Sequence, residues 1–277
     1  MINGRTKLIA HIGFPTETFK SPMIYNPFFE KHGIDAVVVP MGCRSEDYAA
    51  FLSAIFSLAN IRGALITMPH KVATLSMLDT ISPTASIAGA CNAVRRDDAG
   101  KLAGDMFDGE GFARGLERKG QKIAGKDILV VGSGGVGSAI AASLAARGPR
   151  SLKVFDVNRA SCEALRSRLL LHYPALEVLT GSNDPQGCDI VVNATPLGMN
   201  AGDAMPLDVN RLAPATFVGE VVMKEETTAF LKAAISRGCK VQLGIEMLFE
   251  QIPAYLEFFG FPVATPDELR SLARISY

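Results

Sequence analysis

The stretch Asp127-Ile128-Leu129-Val130-Val131-Gly132-Ser133-Gly134-Gly135-Val136-Gly137 constrains the fold more than any other part of the chain. An apolar run the length of a buried parallel strand meets glycines at G-x-G-x-x-G spacing, and residues 139–147 then continue at helical period. The order predicts strand, tight turn, helix. Gly132 permits the turn, Gly134 lets the backbone approach a pyrophosphate, and Gly137 lets helix and strand pack closely, with phosphates at the helix N-terminus. A glycine turn alone can be purely structural. Here the next strand, residues 152–155, ends at Asp156, about 20 residues past the last glycine, where a carboxylate accepts hydrogen bonds from an adenosine ribose. The joint pattern predicts a dinucleotide-binding fold.

This unit begins near the middle of a 277-residue chain, so the first half must serve something other than cofactor binding. There, residues 8–12 read as a first strand running into Gly13-Phe14-Pro15, and residues 35–40 as a second. Phe51, Leu52, Ile55, Phe56 and Leu58 form a helical apolar face. Short strands are expected at residues 88–94 and 101–104, around the turn 97–100. Beyond Asp156, a helix at 164–171, strands at 177–179, 190–193, 216–222 and 240–242, and a helix at 228–237 keep the order of a doubly wound parallel sheet. An amphipathic helix, residues 244–259, leaves the cofactor domain for the first one. The expected division is residues 1–106 with 245–277, and residues 107–244.

Composition excludes several classes of function. Lys and Arg number 28, as do Asp and Glu, and no block of like charge appears, so no nucleic acid and no membrane partner is expected. The five cysteines lack C-x-x-C spacing and suit a reducing cytoplasm rather than a disulfide framework. The four histidines form no H-E-x-x-H arrangement, and no metal is expected. The partner is a small molecule, and the chain is expected to be a monomer or homodimer.

Three polar residues carry two readings each. Ser21 before Pro22 reads as a helix cap ahead of a ligand contact. Lys71 is expected in the first turn of a helix opened by Pro69, where the dipole disfavours a cation, so it is either a solvated surface lysine or a residue with a task. Asp108 precedes a helical pattern and reads as an N-cap or a functional carboxylate.

Together these patterns resemble the shikimate and quinate dehydrogenase family along nearly the whole chain. They are Gly13, Pro15, Ser21, Pro22 and Asn26 in G-x-P…S-P-x-x-x-N, Thr67, Pro69 and Lys71 in T-x-P-x-K, and Gly89, Ala90 and Asn92 in G-A-x-N. Gly104, Asp108 and Gly111 fit G-x-x-x-D-x-x-G, residues 193–199 read N-A-T-x-x-G-M, and Gly244, Met247, Leu248 and Gln251 fit G-x-x-M-L-x-x-Q. The resemblance implies two α/β domains, the first for substrate and the second, of Rossmann type, for NAD or NADP. It implies hydride transfer between the nicotinamide and a secondary hydroxyl of a small cyclic hydroxy acid or related alcohol. Lys71 and Asp108 would manage the proton, and Thr67, Asn92 and Gln251 would hold substrate hydroxyls. The cofactor would lie on Gly132, Ser133, Gly134, Gly135, Val136 and Gly137, with Asp156, Asn158, Arg159, Thr195 and Pro196 beside it and Gly244 and Met247 bordering the nicotinamide. An NAD(P)-binding sensor on the same fold is the alternative, opposed by retention of Lys71 and Asp108.

The departures from the family are as informative. The family binds the shikimate carboxylate with two serines in S-x-S-P and a later tyrosine. Ser21 is kept, but Phe19 replaces the other serine, Met223 replaces the tyrosine, and Leu65 stands where asparagine is usual. Unless Thr16, Thr18 or Lys20 supplies the contact, shikimate is not the expected best substrate. Asp156 and Val157 replace the asparagine and arginine of NADP users, which favours NAD, with Arg159 the one residue that could turn toward a 2′-phosphate.

Overall fold

The computed structural model describes residues 2–17, 19–200 and 202–275, so Thr18 lies outside the described residues. Two compact units emerge. The first takes the chain up to Ala85, Gly89–Phe107 and the stretch from Ile252 onward; the second takes Ser86–Ala88 and Asp108–Gln251.

In the first unit β1 (Lys7–Gly13), α1 (Pro22–Lys31), β2 (Ala36–Gly42), α2 (Tyr48–Ile55) and β3 (Ile61–Ile66) alternate, followed by β4 (Thr80–Ile81), α3 (Pro83–Ala88), β5 (Ala93–Arg96) and β6 (Leu102–Asp105). Among the described residues the sheet order is β2-β1-β3-β5-β6-β4. β1 is parallel to both neighbours, and β5 is antiparallel to β3 and β6. Asn26 clamps α1 to β2, donating to the Val38 carbonyl at 3.0 Å and accepting from its amide at 2.8 Å. One face of the sheet packs Ala10, Ile12, Ala64, Ile66 and Val94 against Tyr48, Leu52 and Ile55 of α2. The strand expected at residues 88–94 starts only at Ala93. α3 runs to Ala88 and is closed by Gly89 at φ +64°, a conformation glycine adopts without strain, whose amide bonds the Ala85 carbonyl.

The second unit runs α4 (Asp108–Arg118), β7 (Asp127–Val131), α5 (Gly135–Ala145), β8 (Ser151–Phe155), α6 (Arg159–His172), β9 (Glu177–Thr180), β10 (Ile190–Asn193), β11 (Phe217–Glu220), α7 (Ala229–Ser236), β12 (Lys240–Gln242) and the start of α8 (Gly244–Phe259). All its strand pairings are parallel. The order β9-β8-β7-β10-β11-β12, numbered from β7, is the 3-2-1-4-5-6 sheet of a Rossmann fold. Beyond Asp127, β7 is apolar because both faces are covered. Ile128 and Val130 pack with Ile140, Leu144 and Leu165, whereas Leu129 and Val131 pack with Val191, Val218 and Phe230.

The chain then returns to the first unit. Beyond Ile252, α8 is followed by α9 (Pro266–Leu272), capped by Thr265, and the Arg274 amide bonds the Met23 carbonyl on α1. All five cysteines are buried and unbridged. Among the described residues no helix is long and apolar enough to cross a membrane.

Candidate active site

In the first unit the site residues gather where β1 and β3 end. The Thr67 amide continues the ladder to the Ile12 carbonyl at 2.9 Å, and the Thr67 carbonyl accepts from the His70 amide at 3.0 Å. Lys71 is not in the first turn of a helix but in an isolated turn closed by the Thr74 amide on the His70 carbonyl at 3.0 Å. A 3-10 segment starts only at Ala73, because the Lys71 carbonyl is taken by the Cys91 amide at 2.8 Å instead of by a helix. The dipole argument for Lys71 therefore does not apply, and the lysine backbone is fixed beside the segment that leads through Asn92 into β5. Asn92 is buried at the junction of three elements. Its carbonyl accepts from Ile66, its amide donates to Asp105, and its Oδ1 accepts from the Phe107 amide at 2.9 Å, which orients the carboxamide.

His70 holds this loop, and local patterning missed it. The buried ring lies flat on Tyr48 at 3.9 Å with 5° between planes, and Nε2 donates to the Cys43 carbonyl at 2.8 Å. The signal lies 27 residues away, beyond the reach of a spacing rule.

Ser21 does not cap α1. Its backbone is already helical, at φ −53° and ψ −45°, so its hydroxyl makes no cap hydrogen bond to the helix amides. Phe19 stacks on His11 with centroids 4.0 Å apart. A Cβ on Gly13 would lie 2.8 Å from the Phe19 ring and 2.8 Å from the Met68 carbonyl oxygen, so glycine is required where the two loops converge. Leu65 is buried in register with His11 across the strand pair. Burial first, and then the Lys71 charge, lower the His11 pKa to about 4.

In the second unit Asp108 is the buried first residue of α4. α4 is held by contacts that tolerate no side chain. A Cβ on Gly109 would run into the Ala139 carbonyl of α5, and one on Gly111 would lie 2.6 Å from the Met247 carbonyl oxygen and 2.6 Å from Gln251 Cβ. α8 thus lies directly on the turn that presents Asp108, bringing Met247 and Gln251 beside it. Gln251 Oε1 is buried with no hydrogen-bond partner. Gly244 is pressed against the Val222 carbonyl, one residue before Met223, whose side chain is 41% exposed.

The glycine turn is built as a dinucleotide requires. Gly132 has φ +106°, and a Cβ there would meet the Ala194 backbone at 2.8 Å; one on Gly137 would run into the Gly132 carbonyl. A Cβ on Gly134, the residue that caps α5, would have nothing within 4 Å, so the turn is open at that point. Ser133 completes the turn, and Gly135 and Val136 open α5. Thr195 and Pro196 follow β10, which neighbours β7 at the point where the strand order reverses. Asn193 Oδ1 holds this loop by accepting from the Thr195 amide at 3.1 Å and from its hydroxyl at 2.6 Å. Asp156 Oδ2 accepts from the Ser133 amide at 2.7 Å and Oδ1 from the Asn158 amide at 2.9 Å. Burial opposes its charge, but these amides outweigh that and keep its pKa below the ordinary carboxylate value. Asn158 caps α6 by accepting from the Ser161 amide, and Arg159 is exposed as the first residue of that helix. These residues fit a dinucleotide.

A 3-2-1-4-5-6 parallel sheet with this turn, a second α/β unit, and a lysine and an aspartate poised at strand and helix ends define the class: an NAD(P)-dependent oxidoreductase. Residues 12–94 match the family described as the shikimate dehydrogenase substrate binding domain. The shikimate dehydrogenase (NADP(+)) of Desulforamulus reducens is 33% identical, across 98% of this chain and 96% of that one. Among solved structures, the shikimate 5-dehydrogenase of Listeria monocytogenes in complex with shikimate and NAD superposes with a TM-score of 0.91, at 27% identity over 98% of this chain and 97% of the other. The 5-ketofructose reductase of Gluconobacter sp. strain CHM43, in ligand-free form, gives 0.87 at 27% identity, over 98% and 99%. The chain belongs to the shikimate dehydrogenase family, as a dehydrogenase of the shikimate and quinate type.

Proposed function

We propose that this protein interconverts a secondary hydroxyl and a ketone on a small cyclic hydroxy acid or related alcohol, that it prefers NAD, and that shikimate is not its best substrate. The observation that carries the reading is that apolar side chains stand at two of the family's polar positions in the first unit: Phe19, stacked on His11, and Leu65, in register with His11. A carboxylate bound there would lose charge-assisted hydrogen bonds worth about 1.5–3 kcal/mol each. The likeness to 5-ketofructose reductase supports the reading, since the same fold is used there under a different substrate name.

NAD, when bound, supplies the hydride acceptor. The protein's own residues manage the rest. As the hydroxyl is oxidised its oxygen must lose a proton; by the family resemblance Lys71 and Asp108 would manage that proton, a role worth about 10²–10⁴-fold in rate. Thr67, Asn92 and Gln251 hold the remaining hydroxyls, and the unpartnered Gln251 Oε1 supports that role. The backbone of residues 132–137 carries the pyrophosphate and Asp156 the ribose.

Steady-state kinetics with shikimate, quinate and less polar cyclic alcohols, each with NAD and NADP, tests the reading. Poor efficiency on shikimate against another member of the panel is expected, with at least a tenfold gain on shikimate in Phe19→Ser plus Met223→Tyr. Shikimate as the best substrate of the unmodified enzyme refutes it.

A further inference from the structure

We propose that His11 is a substrate-binding residue that sets specificity, its neutral imidazole hydrogen-bonding through Nδ1 to a substrate hydroxyl next to the reacting carbon. The proposal rests on the oxidoreductase reading above and names the group that replaces the missing polar contacts.

Four observations within the first unit converge on it. His11 lies on β1 opposite Leu65 on β3, so the two side chains are cross-strand neighbours on one face of the sheet. That face continues through Gly13, whose missing Cβ would point at Thr67 and Phe19, residues at the mouth of the substrate half. The His11 ring is only 7% exposed and stacked on Phe19, yet its Nδ1 has no hydrogen-bond partner. A histidine kept for packing alone would have that nitrogen paired, as His70 has its Nε2 paired with Cys43; an unpaired one costs stability that a ligand group recovers. Finally, the Lys71 charge acts with burial to oppose protonation of the ring, so the unpaired nitrogen belongs to a neutral imidazole.

The chemistry follows from charge state. With burial and the Lys71 charge both acting against the imidazolium, the ring is neutral at physiological pH and offers one donor and one acceptor. Such a group recognises a hydroxyl or carbonyl and gives no charge attraction to a carboxylate. The polar contact thus moves from the β3 position, now Leu65, one strand across to β1. The substrate class is a vicinal diol or its hydroxy ketone, with one oxygen at Lys71 and its neighbour at His11.

The test compares cis-cyclohexane-1,2-diol and quinate with cyclohexanol, which lacks the second hydroxyl, in the unmodified enzyme, His11→Leu and His11→Asn. For the hydroxyl-bearing substrates His11→Leu is expected to raise KM about 10- to 100-fold with kcat changed much less. KM for cyclohexanol and for NAD stays as it was, and His11→Asn, whose carboxamide reaches the place of Nδ1, recovers most of the loss. Circular dichroism and a thermal melt report that each variant is folded; should His11→Leu fail to fold, the smaller KM rise in His11→Asn, confined to the diols, carries the test. An unchanged KM for the diols, or an equal rise for cyclohexanol, overturns the role of His11 while leaving the oxidoreductase reading intact. An unmodified enzyme that turns over none of these alcohols overturns both.

Discussion

Replacing Asp156 should reverse the cofactor preference. Its carboxylate ends β8 and is held by the Ser133 and Asn158 amides at 2.7 and 2.9 Å, so it points in a fixed direction and remains ionised throughout the pH range of a dehydrogenase assay. Removing the charge costs NAD a charge-assisted ribose hydrogen bond, about 1.5–3 kcal/mol. It also relieves repulsion toward a 2′-phosphate. Two unit charges about 4 Å apart repel by about 1 kcal/mol in water and about 4 kcal/mol near a protein surface, and the half-buried Asp156 belongs nearer the lower figure. Together the two effects amount to at least about 2.5 kcal/mol, or nearly two orders of magnitude in the NAD-to-NADP ratio of kcat/KM. Asp156→Asn is the cleaner change, because its amide oxygen can still accept one of the two backbone amides. Arg159, exposed one turn away, is then available to the phosphate. The assay is kcat/KM for both cofactors at saturating substrate, in the unmodified enzyme and the variant. A native enzyme that favours NADP, or a ratio that Asp156→Asn leaves unmoved, refutes the reasoning.

Lys71→Ala and Asp108→Ala should each lower kcat by about 10²–10⁴-fold while NADH binding, followed by the fluorescence of its reduced nicotinamide, survives; near-normal turnover in either removes the proposed pair. His70→Ala should lower Tm by several degrees and kcat together, because it deletes a buried ring stacked on Tyr48 and the hydrogen bond to Cys43 that anchor the Lys71 loop, a loss of about 2–4 kcal/mol. A thermal melt indistinguishable from the unmodified protein would show the loop is held otherwise. Acid should destabilise the first unit through His11. Its folded pKa of about 4 lies below the unfolded value of 6.5, so the unfolded chain binds the extra proton, and stability present above pH 6.5 is lost as pH falls toward 4. The size is of order 3 kcal/mol, and chemical denaturation of His11→Asn across that range should give a flatter profile; parallel profiles would show that other groups dominate.

The amino-acid sequence alone determined the dinucleotide unit, because every constraint there is local. An apolar run, three glycines and an acid at the end of the next strand act within one strand-turn-helix-strand segment, and Gly132, Gly134 and Gly137 each meet the close approach or open space their spacing implies. Short motifs likewise marked Lys71, Thr67, Asn92 and Asp108 as candidates. Their surroundings were not. Proline before Lys71 suggested a helix, but the Cys91 amide captures the lysine carbonyl from a distant segment and holds an irregular turn. Serine before proline suggested a cap, yet Ser21 is itself helical. Gly109 and Gly111 acquire their meaning only when α5 and α8 arrive against α4, and His70 only when Tyr48 and Cys43 close over it. The pairing of His11 with Leu65 is a matter of strand register, and its unpaired nitrogen follows from what packs around it. Tertiary structure decided these because side-chain environment is set by segments remote in sequence, and spacing along one segment carries no information about what another will bring to it.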